Sequence, residues 1–139
     1  MTVVTRHIQL KTRGNVHIVD ITGSVNDAIA DSGIKEGVVT VFVPGSTGAI
    51  STIEYEPGLL KDIPQALERI APSNIPYEHN KTWGCDNGLG HVRATLMGPS
   101  LSIPFSGGQM ILGTWQQVVF LDMDTRGRDR RIVLQIMGE

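Results

Sequence analysis

Two histidines, His79 and His91, lie at either end of an irregular stretch that also contains Cys85 and Asp86. Imidazole, thiolate and carboxylate groups are all common ligands of divalent transition metals in proteins. Their spacing matches no compact zinc module. Two interpretations of this segment are therefore open. It is either a metal site formed by His79, Cys85 and His91, or an ordinary loop whose polar side chains form hydrogen bonds with backbone groups.

A second set of residues has the chemistry needed to hold an anion. Ser46 and Thr47 follow an apolar run, and hydroxyls and amides at the end of a strand can bind phosphate. The following residues do not complete a P-loop, which needs Gly-Lys-Ser/Thr. Asn87 lies among glycines that permit positive φ, so backbone N–H groups there can converge on an anion. An ordinary turn is the alternative for that segment.

Two further polar residues have a functional and a structural interpretation. We predict a strand over His91–Met97, in which Arg93 shares a face with His91 and places a cation beside the imidazole. The alternative for Arg93 is a surface ion pair. Glu54 is a candidate general base, and the alternative is a solvated acidic edge.

Composition limits the class of protein. The chain has 139 residues and a mass of 15.1 kDa, which predicts one domain over residues 1–139. Its net charge is −2, and its one dense basic stretch is the turn containing Arg126, Arg128, Arg130 and Arg131. Duplex binding needs several clustered cations, so we expect no nucleic-acid partner, whereas a small phosphorylated ligand is compatible with this charge.

The predicted location is the cytoplasm. Cys85 is the single cysteine, so no intrachain disulfide can form, which favours a reducing compartment. The first residues alternate and carry charge, unlike the apolar centre of a signal peptide. No apolar run approaches the roughly 20 residues of a membrane span, so no membrane partner is expected.

The elements that position these residues follow from periodicity. Two alternating strands, 3–11 and 16–21, are predicted as a hairpin joined at residues 13–15, and helices are predicted over 22–32 and 57–70. Pro64 predicts a kink in the second helix, or two abutting short helices. Residues 79–89 are predicted as a loop. Further predicted strands cover residues 38–43, 49–55, 91–97, 101–105, 110–112, 117–124 and 131–137. The expected fold class is α+β, a mostly antiparallel, sandwich-like single domain with two short helices packed on the sheets.

Several strings of residues resemble one known family. Leu96–Pro104, Leu112–Gln117 and Val133–Glu139 closely resemble the YjbQ family, uncharacterised protein family 0047, also labelled secondary thiamine-phosphate synthase. The likeness extends in the right order and spacing over nearly the whole chain.

The resemblance implies a compact α+β domain that assembles as a homotrimer, with sites near subunit boundaries. It also implies a pocket that holds a divalent metal, zinc or magnesium, and an anion. The anion-holding residues that match are Ser46, Thr47, Asn87, Arg93 and Ser100. The implied activity is a weak thiamine-phosphate synthase, which joins a pyrimidine-methyl diphosphate to a thiazole phosphate and releases pyrophosphate. His91 would then ligate a metal or protonate the leaving pyrophosphate.

The chain departs from the family pattern at three positions where relatives often have histidine, namely Gly45, Gly84 and Leu89. Metal affinity depends on the number of ligands, so the loss of these histidines predicts weak or absent metal binding unless Cys85, Asp86 or a neighbouring subunit substitutes. Two alternatives to the synthase follow. One is a non-catalytic ligand-binding or structural trimer with a decayed metal site. The other is a metal-dependent phosphoester hydrolase in which Glu54 or His91 activates water.

Overall fold

Eight strands and four helices make up the fold, and the computed structural model describes all residues from 1 to 139. The strands are β1 (Thr2–Lys11), β2 (His17–Asp20), β3 (Glu36–Phe42), β4 (Gly48–Ile53), β5 (Ser100–Ser106), β6 (Gln109–Met110), β7 (Gln117–Asp122) and β8 (Asp129–Gly138). The helices are α1 (Thr22–Ser32), α2 (Pro57–Ile70), α3 (Glu78–Trp83) and α4 (Gly88–Met97).

The strands form two antiparallel sheets. The larger sheet has the order β1-β8-β3-β5-β6, and the smaller has the order β2-β7-β4. Every pairing is antiparallel. The predicted α+β class with mostly antiparallel sheets is therefore confirmed.

The main core contains residues of both sheets and of α1. Val39 and Val41 from β3 belong to the same buried cluster as Phe120 from β7 and Ile29 from α1. A second buried cluster contains Leu67 of α2 and Ala94 of α4, together with residues of β2, β4 and β7. Because α4 packs on the smaller sheet, its first turn is held close to the end of β7.

The predicted hairpin between the first two strands is wrong. β1 pairs with β8, whereas β2 pairs with β7 in the other sheet. The chain changes sheets through Gly14, Asn15 and Val16, whose φ angles are 77°, 53° and 60°. Alternation along each strand predicts which face is buried, but it contains no information about which strand is the partner.

The predicted strand over His91–Met97 is also wrong, because these residues form most of α4. Part of the predicted loop over 79–89 is helical too, as α3. The alternating and apolar character of residues 91–97 favours a strand, but tertiary packing overrides such weak local preferences. Gly90 allows the helix to approach the backbone just after β7, since a Cβ there would lie 2.4 Å from the Met123 carbonyl oxygen.

The second predicted helix is confirmed, and α2 continues through Pro64 as a single element. Its start is fixed by Glu56, whose carboxylate accepts hydrogen bonds from the N–H groups of Gly58 and Leu59 at 2.7 and 2.6 Å. None of the four helices combines the length and apolar character needed to span a membrane.

Candidate functional site

A pocket of about 440 Å³ opens where the loop after β3, the first turn of α4 and the turn between β7 and β8 meet. All of its lining residues are polar. They are Ser46, Thr47, Asn87, His91, Asp124, Arg128, Asp129 and Arg130. We call this cavity the polar pocket.

Arg130 and Asp122 form the fixed base of the polar pocket. Both side chains are buried, and the guanidinium donates from Nε and Nη2 to the two carboxylate oxygens at 3.0 and 2.9 Å. Nη2 also donates to Thr47 Oγ1 at 2.8 Å. A bidentate pair of this kind fixes the plane of the guanidinium as well as its position.

Asp124 is held by a second group of donors. Its carboxylate accepts from Thr47 Oγ1 at 3.0 Å, from the Thr125 N–H at 2.7 Å and from Arg128 Nε at 3.1 Å. Burial by itself raises the pKa of Asp124, but these hydrogen bonds and the Arg128 charge outweigh it and lower the pKa below its ordinary value. Asp124 is therefore ionised at neutral pH.

Several donors around the polar pocket have no acceptor within the chain. Arg130 Nη1, both terminal nitrogens of Arg128 and the Ser46 hydroxyl make no hydrogen bond to another group of the protein. The backbone N–H groups of Gly45, Ser46 and Thr47 also have no backbone acceptor. Consecutive free N–H groups of this kind form concave sites that favour anions.

The polar pocket has fewer unpaired hydrogen-bond acceptors than unpaired donors. The carboxylates of Asp122 and Asp124 are occupied by the donors described above, while Asp129 is exposed. Asn87 Oδ1 is buried without a hydrogen-bond partner. A ligand with anionic oxygens and one hydroxyl or amine donor therefore matches the unpaired groups of the pocket.

His91 and His79 lie together at the edge of the pocket, with ring centroids 4.2 Å apart. Burial lowers the pKa of His91, the neighbouring His79 lowers it further, and the Asp124 charge partly opposes both. His91 is thus a neutral imidazole at neutral pH, able to donate one hydrogen bond and accept another.

The donor set for a metal is incomplete within one chain. The structure brings His79 and His91 together, but no group of three or more His, Cys, Asp or Glu side chains is arranged to hold an ion. Cys85 Sγ instead lies 3.8 Å from Asn80 Oδ1. Two imidazoles without a thiolate or carboxylate do not fit the usual tetrahedral zinc site.

Arg93 does not reach the polar pocket. Successive residues of a helix point in different directions, so Arg93 and His91 do not share the face that a strand would give them. The Arg93 guanidinium is buried and donates to the Ala71 carbonyl oxygen from Nε and Nη2, at 3.1 and 2.8 Å. Nη2 also contacts Glu68 Oε2 at 2.8 Å.

Ser100 and Glu54 also lie outside the polar pocket. Ser100 is exposed at the start of β5, opposite Phe42. Glu54 directly follows β4, whose other end, Gly48, pairs with Asp122. Six residues of extended chain separate Glu54 from that end, a distance of about 20 Å.

Sequence reasoning missed Asp124, Arg128 and Arg130 as members of the site. The arginine-rich turn is visible in the sequence, where its charge bears on nucleic-acid binding but does not show which of its donors stay unpaired. Its alternation of arginine and aspartate over 128–130 was the available signal, since such a turn can pair some charges and leave other donors free.

A two-sheet α+β domain with a polar, arginine-containing pocket is the class of protein that the fold and the site define. The model of the family described as UPF0047 protein YjbQ-like matches residues 6–139. The chain therefore belongs to the YjbQ-like UPF0047 family, and the resemblance found in the sequence is confirmed.

Relatives and solved structures agree with this assignment. A UPF0047 protein from Methanothermobacter thermautotrophicus is 39% identical over 139 residues, which cover 100% of this chain and 95% of the relative. One from Archaeoglobus fulgidus is 35% identical, covering 94% of this chain and 98% of the relative. The crystal structure of a YbjQ-like protein of unknown function from Sulfolobus solfataricus is 33% identical, with a TM-score of 0.93 and 99% of both chains covered.

Proposed function

We propose that the protein binds a small phosphorylated ligand in the polar pocket. The observation that supports this most directly is the set of unpaired donors there, Arg130 Nη1, the Arg128 terminal nitrogens and the Ser46 hydroxyl. Each charge-assisted hydrogen bond to a phosphoryl oxygen contributes about 1.5–3 kcal/mol. Two or three such bonds are enough for specific binding of a small anion.

The fixed arrangement of the arginines favours a phosphate over a diffuse anion. Asp122 holds the buried Arg130 guanidinium through two hydrogen bonds before the ligand arrives, so little side-chain entropy is lost there on binding. Asp124 holds the half-exposed Arg128 through Nε alone. Both carboxylates face donors of their own, which reduces their repulsion of an incoming anion. In this proposal Ser46, Thr47 and Asn87 keep the ligand-binding role expected from the sequence, and Arg128 and Arg130 replace Arg93 and Ser100.

A weak thiamine-phosphate synthase reaction is a second candidate, and one feature favours it. A shallow depression of about 250 Å³, lined by Val92, Thr95 and Leu96, adjoins the polar pocket across His91. It offers an apolar surface for a heterocycle whose diphosphate lies among the arginines. A thiazole nitrogen would form a bond to the pyrimidine methylene carbon as the carbon–oxygen bond to diphosphate breaks. His91 would donate a hydrogen bond to the departing diphosphate.

The family resemblance also leads us to propose that the protein is a homotrimer. Trp115 and Ile111, in the loop between β6 and β7, are 71% and 60% exposed. Aromatic and aliphatic side chains that project from one loop are typical of a subunit contact.

Calorimetric titration with inorganic pyrophosphate tests the ligand proposal. We expect the Arg128→Gln variant to bind pyrophosphate about 10- to 100-fold more weakly than the wild type, because it loses one or more charge-assisted bonds. Arg126→Gln is the matched control, since Arg126 is exposed in the same turn and does not line the pocket. Titrations with chelator and with added zinc show whether a metal contributes.

Two results separate the candidates. Wild-type protein that binds no pyrophosphate in either condition contradicts the ligand proposal. The synthase candidate is contradicted if the protein binds pyrophosphate but forms no thiamine phosphate from the pyrimidine diphosphate and the thiazole phosphate. That result supports a non-catalytic binding protein.

A further inference from the structure

Arg130 uses only part of its hydrogen-bonding capacity within the protein. Nε and Nη2 are occupied by Asp122 and Thr47, and the guanidinium carbon lies 5.7 Å from the centre of the Phe120 ring. Nη1 makes no hydrogen bond, although Arg130 as a whole is 8% exposed. Nη1 is not fully enclosed, since Asn87 Oδ1 is the one buried side-chain atom without a hydrogen-bond partner. Its N–H can therefore donate to an acceptor in the polar pocket, and a hydrogen bond between two charged groups is stronger than a neutral one.

Gly45 is the residue beside this free nitrogen. A Cβ at position 45 would lie 3.2 Å from Arg130 Nη1, which is closer than ordinary van der Waals contact. The guanidinium cannot easily move away, because three hydrogen bonds to Asp122 and Thr47 hold it. Gly45 also has a φ of 125°, a conformation that other residues rarely adopt.

Space beside Gly45 continues away from the polar pocket. A groove of about 270 Å³ is lined by Gly45, Ser46, Gly48, Ala94, Thr95 and Pro99, and it shares Ser46 with the polar pocket. Small side chains and glycines leave this groove open. A ligand whose phosphate contacts Arg130 can therefore extend an organic group across Gly45.

We infer that Gly45 is a specificity-determining residue, because its missing side chain opens Arg130 Nη1 to a phosphoryl oxygen and leaves room for an organic group on that phosphate. The inference rests on the proposed function, since it assumes that the polar pocket binds a phosphorylated ligand. The ligand class is thus a phosphate or diphosphate ester of a small organic group.

A double-mutant cycle on Gly45 and Arg130 tests the inference, with inorganic pyrophosphate and phenyl phosphate as probes in calorimetric titrations. We expect Gly45→Ala to weaken pyrophosphate binding at least about tenfold, the effect of one charge-assisted bond. The affinity for phenyl phosphate should fall further, because the alanine methyl group at position 45 also narrows the groove that would hold the phenyl ring. In an Arg130→Lys background the Gly45→Ala change should cost little further pyrophosphate affinity, since the lysine has no nitrogen equivalent to Nη1.

Gly108→Ala is the control for backbone strain. Gly108 has a φ of 80° in the turn before β6, and a Cβ there would meet no atom within 4 Å. We expect this variant to bind both probes as the wild type does. If Gly45→Ala does not fold, NMR of the wild type provides the second measurement. The Arg130 side-chain N–H resonances, assigned by comparison with Arg130→Lys, should shift on pyrophosphate addition.

Four outcomes overturn the inference. Unchanged affinity of folded Gly45→Ala for both probes, or an equal loss in the Arg130→Lys background, removes the Gly45–Arg130 link while leaving the proposed function intact. Arg130 signals that do not move at saturating pyrophosphate do the same. A wild type that binds neither probe contradicts the proposed function, and this inference with it.

Discussion

Arg93 illustrates how a residue of the right chemistry can serve the fold. Its guanidinium links the first residue after α2 to the buried face of α4, through two hydrogen bonds to the Ala71 carbonyl. A cation at a helix C-terminus also interacts favourably with the helix dipole. Glu68 completes the arrangement, since it accepts from Arg93 and from both the N–H and the hydroxyl of Ser73.

We predict that Arg93→Ala lowers the free energy of unfolding by about 2 kcal/mol, because the Ala71 carbonyl loses its charge-assisted bonds. Urea denaturation measures this change. Pyrophosphate affinity should stay at the wild-type value, since Arg93 does not line the polar pocket. A large loss of pyrophosphate affinity with little loss of stability would instead show that Arg93 takes part in ligand binding.

At the scale of elements, the segment between β1 and β2 positions the turn that bears Arg128. Gly14 lies against the Arg126 backbone, and a Cβ there would be 2.6 Å from the Arg126 carbonyl. The Asn15 N–H donates to the Asp124 carbonyl at 2.6 Å. His17 stabilises the same segment, because its Nδ1 accepts from the Arg13 N–H at 3.0 Å.

This contact predicts a pH dependence of stability. Burial lowers the pKa of His17, the Arg13 charge lowers it further, and Asp122 partly opposes them. The folded protein therefore binds fewer protons at His17 than the unfolded chain does. The stabilisation is present above the unfolded pKa of about 6.5 and is lost as pH falls through the folded pKa.

Chemical denaturation of the wild type and of His17→Asn between pH 8 and 5 measures this effect. Asparagine can accept from the Arg13 N–H but does not titrate, so its curve should fall less steeply below about pH 6.5. The difference between the two curves cannot exceed about 1.4 kcal/mol per pH unit for a single proton. Parallel curves would show that His17 does not contribute.

At the scale of the whole molecule, the proposed trimer predicts a mass of about three times the 15.1 kDa of one chain in sedimentation equilibrium. Trp115→Glu should shift the protein towards the single-chain mass, because burying a charge in place of an indole is unfavourable. A wild type that sediments as a single chain contradicts the trimer. If Trp115→Glu forms a trimer as stable as that of the wild type, the trimer is not contradicted, but the loop between β6 and β7 is not its subunit contact.

Local pattern by itself determined most of the strands, the helices α1 and α2, and the family. Alternation identified β1 and β8, and a near-continuous run of β-branched and apolar residues identified β3. The apolar stripe of α2 identified that helix in spite of Pro64. Local pattern also selected four residues of the pocket. Ser46 and Thr47 follow an apolar run, Asn87 lies among glycines, and His91 ends the irregular stretch that contains Cys85 and Asp86. These features are local, so one sequence is enough to predict them.

Only the tertiary structure decided which strands pair and which side chains meet. β1 and β2 lie in different sheets. Residues 91–97 are helical because packing of α4 on the smaller sheet outweighs weak local propensity, and Arg93 on that helix points away from His91. The polar pocket itself joins residues from three distant segments, 46–47, 87–91 and 124–130. Which arginine is free to bind a ligand depends on which donors Asp122 and Asp124 already occupy, and only the folded chain fixes those pairings.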